Sequence, residues 1–169
     1  MKLRRGMEVT TNIRPVRYYS SLCSFSPLKE TILSKGLDFV FVRDIRGGVL
    51  CSDKIRTQGE EGTQMIGTPY LYASAELAQD GRGIYTPNQL HHPDESIIGK
   101  QLVNPIGMIM AGALMMRYTF KMEDEAAWIE RAVEQVLQFG YATIDIYEEG
   151  KKLVSTSEMA EKIVERIKK

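Results

Sequence analysis

The stretch NPIGMIMAGALMMRY, residues 104–118, decides the fold class of this chain. Asn104 and Pro105 form an N-cap followed by a first-turn proline, which is a common way to start a helix. Apolar side chains then surround almost the whole helix, and a helix of that kind is normally buried. We therefore predict a central core helix over residues 106–118, with the other elements packed around it.

Strands and helices are predicted on both sides of this helix. Residues 7–13 alternate between apolar and polar side chains up to Arg14 and Pro15, which indicates a strand. The segment LDFVFVR, residues 37–43, is apolar almost throughout and is typical of a buried strand. Further strands are predicted at YLYAS, GIY and residues 141–147, and helices over residues 26–35, before Gly140 and after the Ser155/Glu158 capping box. The predicted fold class is α/β, a mixed sheet with flanking helices.

Composition excludes several classes of partner. The 22 basic residues balance the 22 acidic ones, so no overall positive field attracts nucleic acid or anionic lipid. The most apolar run is too short to span a bilayer, and no apolar signal-peptide region follows the N-terminal basic residues. Cys23 and Cys51 have neither a CxxC spacing nor a disulfide framework, and they indicate free thiols. We expect a cytoplasmic protein that binds neither nucleic acid nor membrane.

Three arginines are the main chemical feature. Arg4 and Arg14 flank the first predicted strand, and Arg43 ends the second. A guanidinium group can bind a carboxylate through two parallel hydrogen bonds, and side chains at the ends of neighbouring strands can converge on one anion. On the residue types alone, scattered surface arginines are the favoured interpretation, because arginine is common and mostly exposed.

Two other motifs have simpler interpretations. His91 and His92 stand beside Asp94, but neighbouring side chains in an extended segment point in opposite directions and seldom share a metal ion. They are interpreted as loop histidines or as contacts to the edge of a nucleotide. Gly81 and Gly83 are only a fragment of a phosphate-binding motif, and a plain turn is the simpler interpretation.

Five blocks of sequence resemble a known family: LRRGMEVTTNIRP, SPLKE, VRDIRGG, GKQLVNPIGMIMAGALMMRY and STSEM. They are similar to blocks of the β-decarboxylating dehydrogenases, the isopropylmalate and isocitrate dehydrogenases, and most similar to the isopropylmalate branch of leucine biosynthesis. The resemblance implies a partial isopropylmalate dehydrogenase-like fold and an NAD-dependent oxidative decarboxylase of 2-hydroxy dicarboxylic acids. It also implies that Arg4, Arg14 and Arg43 bind the substrate carboxylate.

The resemblance further implies NAD and Mg²⁺ or Mn²⁺ as cofactors. Asp94 and Asn104 match family residues that contact the adenosine of NAD, and Gln89 stands in place of a histidine that contacts the adenine. Leu50 occupies the region where the family has a catalytic tyrosine. No metal ligand and no catalytic residue is assigned in this chain.

The chain matches two separated parts of the family pattern. Residues 1–50 correspond to the start of the substrate-binding region, residues 51–64 are predicted to be a loose connection, and residues 65–169 correspond to the C-terminal part of the nucleotide-binding domain. The family's N-terminal strands and its long middle, with a proton-donating lysine and metal-binding aspartates, are expected to be absent. We expect a truncated or internally deleted member of the family.

Two functions are compatible with the family residues that this chain lacks, and the sequence does not decide between them. One is an isopropylmalate dehydrogenase-like protein whose own catalysis is in question because the general acid, the tyrosine and the metal ligands are missing. The other is a non-catalytic module that binds a carboxylate or nucleotide, or that associates with a full-length paralogue. Deleted strands should leave apolar surface exposed, so we also predict self-association.

Overall fold

The computed structural model describes residue 3 and residues 6–44, 71–87 and 99–167. They form an α/β fold, a sheet with flanking helices, as the sequence predicts. The strands are β1 (Thr11–Arg17), β2 (Asp38–Asp44), β3 (Ala73–Leu77), β4 (Gly83–Pro87), β5 (Tyr141–Ala142) and β6 (Lys152–Leu153), and the helices are α1 (Glu30–Leu33), α2 (Ile106–Met115), α3 (Glu123–Gln138) and α4 (Thr156–Val164). None of the helices in this part of the chain combines the length and the apolar composition that crossing a membrane requires.

The main sheet has four strands in the order β2-β1-β3-β4, and every pair in it is antiparallel. Strand β1 therefore joins the N-terminal segment to residues 71–87 in one sheet. It pairs with β2 along its whole length but with β3 only from Thr11 to Ile13. Pro15 thus lies where β1 is paired with β2 alone, a place that tolerates the missing backbone N–H of proline. The second sheet is the parallel pair β5-β6.

Helix α2 packs on one face of the main sheet through small side chains. Ala111 and Leu114 of the helix form a buried cluster with Ala73 and Ala75 of β3. Alanines on both elements let the helix approach the sheet closely. The helix continues as a π-helical turn over Met116–Phe120 and ends at Lys121, whose φ is 59°. The predicted core helix is thus present, although Met108 on its outer side is exposed.

Helices α3 and α4 form the larger part of the core. Val133, Val136 and Leu137 of α3 pack with Met159 and Ile163 of α4. The predicted capping box starts α4, because the Ser155 hydroxyl accepts a bond from the backbone of Glu158 while the Glu158 carboxylate accepts one from the backbone of Ser155. These local patterns therefore predicted both helices correctly.

Four element predictions need correction. The helix predicted over residues 26–35 is the single turn α1, Glu30–Leu33, because the backbone at Ser26 and Lys29 is extended. Strand β1 begins at Thr11 instead of residue 7, and it runs through Arg14 and Pro15 instead of ending there. Strand β2 is not buried: it is the edge strand of the sheet, and Val42 is 70% exposed. Of residues 141–147, only Tyr141–Ala142 form a strand and Ile144–Ile146 form a 3-10 turn. Whether a strand lies at the edge of a sheet, and how long its pairing with a neighbour is, depends on the whole sheet. A run of apolar residues does not encode these properties.

Candidate anion-binding site

Two of the three candidate arginines share one face of the main sheet. In the β1–β2 register Asn12 is opposite Arg43, and Arg14 is opposite Phe41. Residues directly opposite each other, and residues two apart on one strand, point to the same face. Arg14 and Arg43 are therefore diagonal neighbours on one face, a relation in which the residues are about 7–8 Å apart. Helix α2 covers the other face, since it packs on Ala73 and Ala75.

A buried amide orients Arg14. The Nε–H group of Arg14 donates a hydrogen bond of 2.9 Å to Oδ1 of Asn12. Asn12 is only 3% exposed, whereas Arg14 is half-buried and Arg43 is exposed. A guanidinium group held through Nε keeps a fixed orientation, which reduces the entropy lost when it binds an anion. Arg14 is also engaged in further interactions in the folded chain.

The other end of the same amide is unsatisfied. Within the described part of the chain, Nδ2 of Asn12 is the buried side-chain atom without a hydrogen-bond partner. Leaving a buried donor unpaired costs about 1–3 kcal/mol. An oxygen of a bound carboxylate beside Arg14 would supply the missing acceptor. The site therefore offers a guanidinium and an amide donor, and hydrogen bonds from a guanidinium to a carboxylate are among the strong ones.

A buried carboxylate lies on the same face. Glu76 of β3 is opposite Asn12 in the β1–β3 register and is 5% exposed. Glutamate is rarely buried to this extent unless it is paired, and Glu76 is indeed engaged in interactions. Two residues before it, the Ser74 hydroxyl is 3.2 Å from the hydroxyl of Thr86 on β4. The polar face thus extends from β2 across β1 to β3 and β4.

Asn104, a predicted cofactor contact, lies two residues before α2, whose N-cap is Pro105 and not Asn104 as predicted. Its Oδ1 accepts a hydrogen bond of 3.0 Å from the backbone N–H of Ile106. Its Nδ2 donates a bond of 3.1 Å to Asp145, whose other oxygen accepts a bond from the Thr143 hydroxyl. The side chain is buried, and these bonds fix both the helix start and the orientation of the amide.

Three predicted site residues, Arg4, Gln89 and Asp94, lie outside the described residues, as does Leu50. The structure therefore gives no position for them. Within residues 6–44, 71–87 and 99–167, no three His, Cys, Asp or Glu side chains are grouped so that they could hold a metal ion.

Sequence reasoning missed Asn12 and Glu76. Asn12 stands two residues before Arg14 in a strand pattern, and that spacing was the available sign that the two share a face. No comparable sign existed for Glu76, because the run ASAELA around it also suits a helix and does not indicate a buried strand.

Comparison with known proteins identifies the class to which this arrangement belongs. The sequence model described as isocitrate/isopropylmalate dehydrogenase matches the chain in two pieces, residues 1–70 and 61–163. The chain belongs to the isocitrate/isopropylmalate dehydrogenase family.

Individual relatives support the isopropylmalate branch. The chain is 40% identical to the 3-isopropylmalate dehydrogenase of Heyndrickxia coagulans over 97% of its own length and 42% of that protein. It is 36% identical to the 3-isopropylmalate dehydrogenase of Neisseria meningitidis serogroup B over 77% of its own length and 34% of that protein. It thus spans less than half the length of these relatives.

A solved structure agrees with membership of the isocitrate/isopropylmalate dehydrogenase family. The crystal structure of isocitrate dehydrogenase from Methylococcus capsulatus matches with a TM-score of 0.54 and 34% identity, covering 62% of this chain and 30% of that one. The chain therefore has part of the family fold, as its short length leads one to expect.

Proposed function

We propose that this chain binds a small 2-hydroxy dicarboxylic acid through Arg4, Arg14 and Arg43. The observation that carries the proposal is the shared face of Arg14 and Arg43, with Asn12 between them and Arg14 held by the amide of Asn12. Guanidinium groups on neighbouring strands bind a carboxylate from two directions, and the unpaired Nδ2 of Asn12 adds a third donor. The sheet supplies the rigid support that such a site needs.

We further propose that the chain by itself binds this acid without oxidising it. In the family, NAD accepts the hydride and a divalent metal stabilises the charge that develops when CO₂ leaves. Leu50 stands where the family has its tyrosine, and the family segment with the lysine and the aspartates has no counterpart in this sequence. Without these groups the interactions made only in the transition state are lost, while binding through the arginines is kept.

NAD is proposed as the second ligand, with Asn104, Asp94 and Gln89 as its contacts. Asn104 fits this role, because its amide is held in one orientation by Ile106 and Asp145 and lies two residues before α2. A helix start carries partial positive charge and is a favourable place for an anionic ligand. For Mg²⁺ or Mn²⁺, the described side chains supply no group of three ligands, so no step is assigned to a metal.

A second candidate function is association with a full-length relative or with another copy of this chain, in the cytoplasm. It is favoured by the edge strand β2, whose apolar side chains Phe41 and Val42 are exposed. A partner could supply the groups that this chain lacks.

Two measurements test the first proposal. Isothermal titration with malate, 3-isopropylmalate and isocitrate should detect binding of at least one acid, and absence of heat with all three would refute it. Formation of NADH with the same acids, NAD and Mg²⁺ should be absent for the purified chain. An NADH signal that rises with protein concentration would refute the non-catalytic part and leave the binding part standing.

The second candidate has its own test. Mixing the chain with a full-length 3-isopropylmalate dehydrogenase should give a complex in analytical ultracentrifugation at micromolar concentration. Separate sedimentation of the two proteins would contradict the association with a relative.

A further inference from the structure

The hydrogen bonds between β1 and β2 show which backbone groups of β2 bond to β1. The backbone N–H of Tyr18 donates a bond of 2.8 Å to the carbonyl of Leu37, and these two residues extend the β1–β2 register by one position. Hydrogen-bonded and non-hydrogen-bonded pairs alternate along an antiparallel ladder. Phe39 and Phe41 therefore also exchange hydrogen bonds with β1.

The residues that alternate with these phenylalanines direct their backbone groups the other way. The N–H and C=O groups of Val40 and Val42 point away from β1, toward the outer edge of the sheet. Pro15 agrees with this direction, because it is opposite Val40 and has no N–H to donate. Among the strands in the described part of the chain, β2 has no second neighbour. Its outer edge therefore presents donors and acceptors that none of these strands uses.

This edge lacks the features that normally prevent pairing with another chain. Natural edge strands are protected by lysine, by proline or by a bulge. The register of β2 is continuous over Asp38–Asp44, so the strand has no bulge, and its central residues, Phe39–Val42, are all apolar. These four side chains are 39–70% exposed. The rings of Phe39 and Phe41 contact each other edge to face, with centroids 5.1 Å apart.

We propose that β2 pairs antiparallel with β2 of a second copy of this chain, so that two four-stranded sheets become one continuous sheet. The inference rests on the second candidate function, association with another copy, and it names the surface and the partner. The outward N–H and C=O groups of Val40 and Val42 exchange hydrogen bonds with the outward groups of the copy. Each half of the dimer thus supplies the strand that the other half lacks at this edge.

A second copy fits this edge because the strand is complementary to itself. A twofold axis perpendicular to the sheet keeps the side chains of both copies on matching faces. With the axis at Val40 or at Phe41, Phe41 lies opposite Phe39 or Phe41 of the copy, on the face that bears Arg14. On the other face, Val40 then lies opposite Val40 or Val42 of the copy. Aromatic and β-branched cross-strand pairs of this kind stabilise a ladder.

Pairing through β2 also arranges the arginine faces. Because the axis is perpendicular to the sheet, the faces with Arg14 and Arg43 lie on the same side of the joined sheet. Helix α2 of each copy covers the opposite side. The dimer thus presents two copies of the proposed anion-binding face on one surface.

Amide hydrogen exchange of the intact chain, measured by NMR over a range of protein concentrations, tests the pairing. The amides of Phe39 and Phe41 bond to β1, so they should be protected at every concentration. The amides of Val40 and Val42 should become protected only as the dimer forms, with exchange about tenfold slower when about nine-tenths of the chains are dimeric. Sedimentation velocity of the same samples measures the dimer fraction.

Two substitutions at one position separate backbone pairing from general association of apolar surface. Val40→Pro removes the outward N–H but keeps an apolar side chain, and it should raise the Kd of the dimer at least about tenfold. Val40→Thr keeps the N–H and the branched shape but makes the side chain polar, and it should leave this Kd within about threefold. Protection of Phe39 and Phe41 in Val40→Pro shows that β1 and β2 are still paired. If that protection is lost, the exchange pattern of the unaltered chain decides the inference.

Several results would overturn the inference. A chain that sediments as a monomer at every concentration does so, and so does a dimer in which exchange at Val40 and Val42 does not depend on concentration. A dimer that Val40→Thr weakens and Val40→Pro leaves intact associates through apolar surface and not through a ladder. A complex with a full-length 3-isopropylmalate dehydrogenase, formed by a chain that does not pair with itself, overturns the inference and leaves the other part of the second candidate function standing. Binding of dicarboxylic acids is measured separately, and its failure refutes only the first proposed function.

Discussion

Replacing Arg14 by alanine removes the guanidinium group that Asn12 orients. A hydrogen bond to a charged group contributes about 1.5–3 kcal/mol to the free energy of binding. The net value is this small because both partners give up hydrogen bonds to water when they bind each other. Losing one such contact to a ligand carboxylate should raise the Kd of a dicarboxylic acid by about 10- to 150-fold. Isothermal titration of the variant and the unaltered chain measures this change directly.

The same substitution has a separate effect on stability. Oδ1 of Asn12 accepts from Arg14 at 2.9 Å and is part of a side chain that is almost fully buried. Removing the donor leaves this oxygen unpaired, which costs about 1–3 kcal/mol. In a chain of this size each kcal/mol corresponds to about 2–4 °C in Tm. The melting curve of the variant without ligand should therefore shift downward as well.

Arg17 on the same strand provides the matched control. It is three residues from Arg14 and thus on the opposite face of the sheet. Its 3.5 Å ion pair with Asp38 is exposed on both sides, and such pairs contribute about 0–1 kcal/mol. Arg17→Ala removes the same charge and should leave the Kd within twofold, roughly the ordinary scatter of such effects. Equal losses of affinity in the two variants would refute the assignment of the site to the Arg14 face.

Three further predictions concern the fold and its surface. Val42→Lys places a charge on the exposed edge strand β2 and should reduce self-association, seen as a smaller sedimentation coefficient; a chain that already sediments as a monomer would contradict this. Leu114→Ala leaves a cavity between α2 and β3 and should lower the free energy of unfolding by about 2–5 kcal/mol in urea titrations. Hydrogen bonds from Ser155 lower the pKa of Glu158, so the cap stabilises the fold above the ordinary glutamate pKa of 4.5 and this stabilisation is lost as the pH falls. Ser155→Ala should therefore lower the urea midpoint at pH 7 and have less effect at pH 3, whereas an effect independent of pH would refute the role of the carboxylate.

Membership of the family could be recognised from the sequence because its motifs are short and contiguous. Blocks such as VRDIRGG and NPIGMIM identify the family without any knowledge of distances. The structure describes three of the six predicted ligand contacts, and two of these three, Arg14 and Arg43, are on one face of the sheet. Their roles stay predictions until ligand binding is measured.

The sequence by itself determined the local parts of this protein. The bond between Asn104 and the first residue of α2, Ile106, and the capping box of Ser155 each depend on residues within three positions of one another, so the chain encodes them directly. Only the tertiary structure decided that Arg14 and Arg43 share a face, that Glu76 is buried beside Asn12 and that β2 is an exposed edge. These features depend on the register between strands that are distant in the chain, and a shift of one residue would have turned every side chain of a strand to the other face.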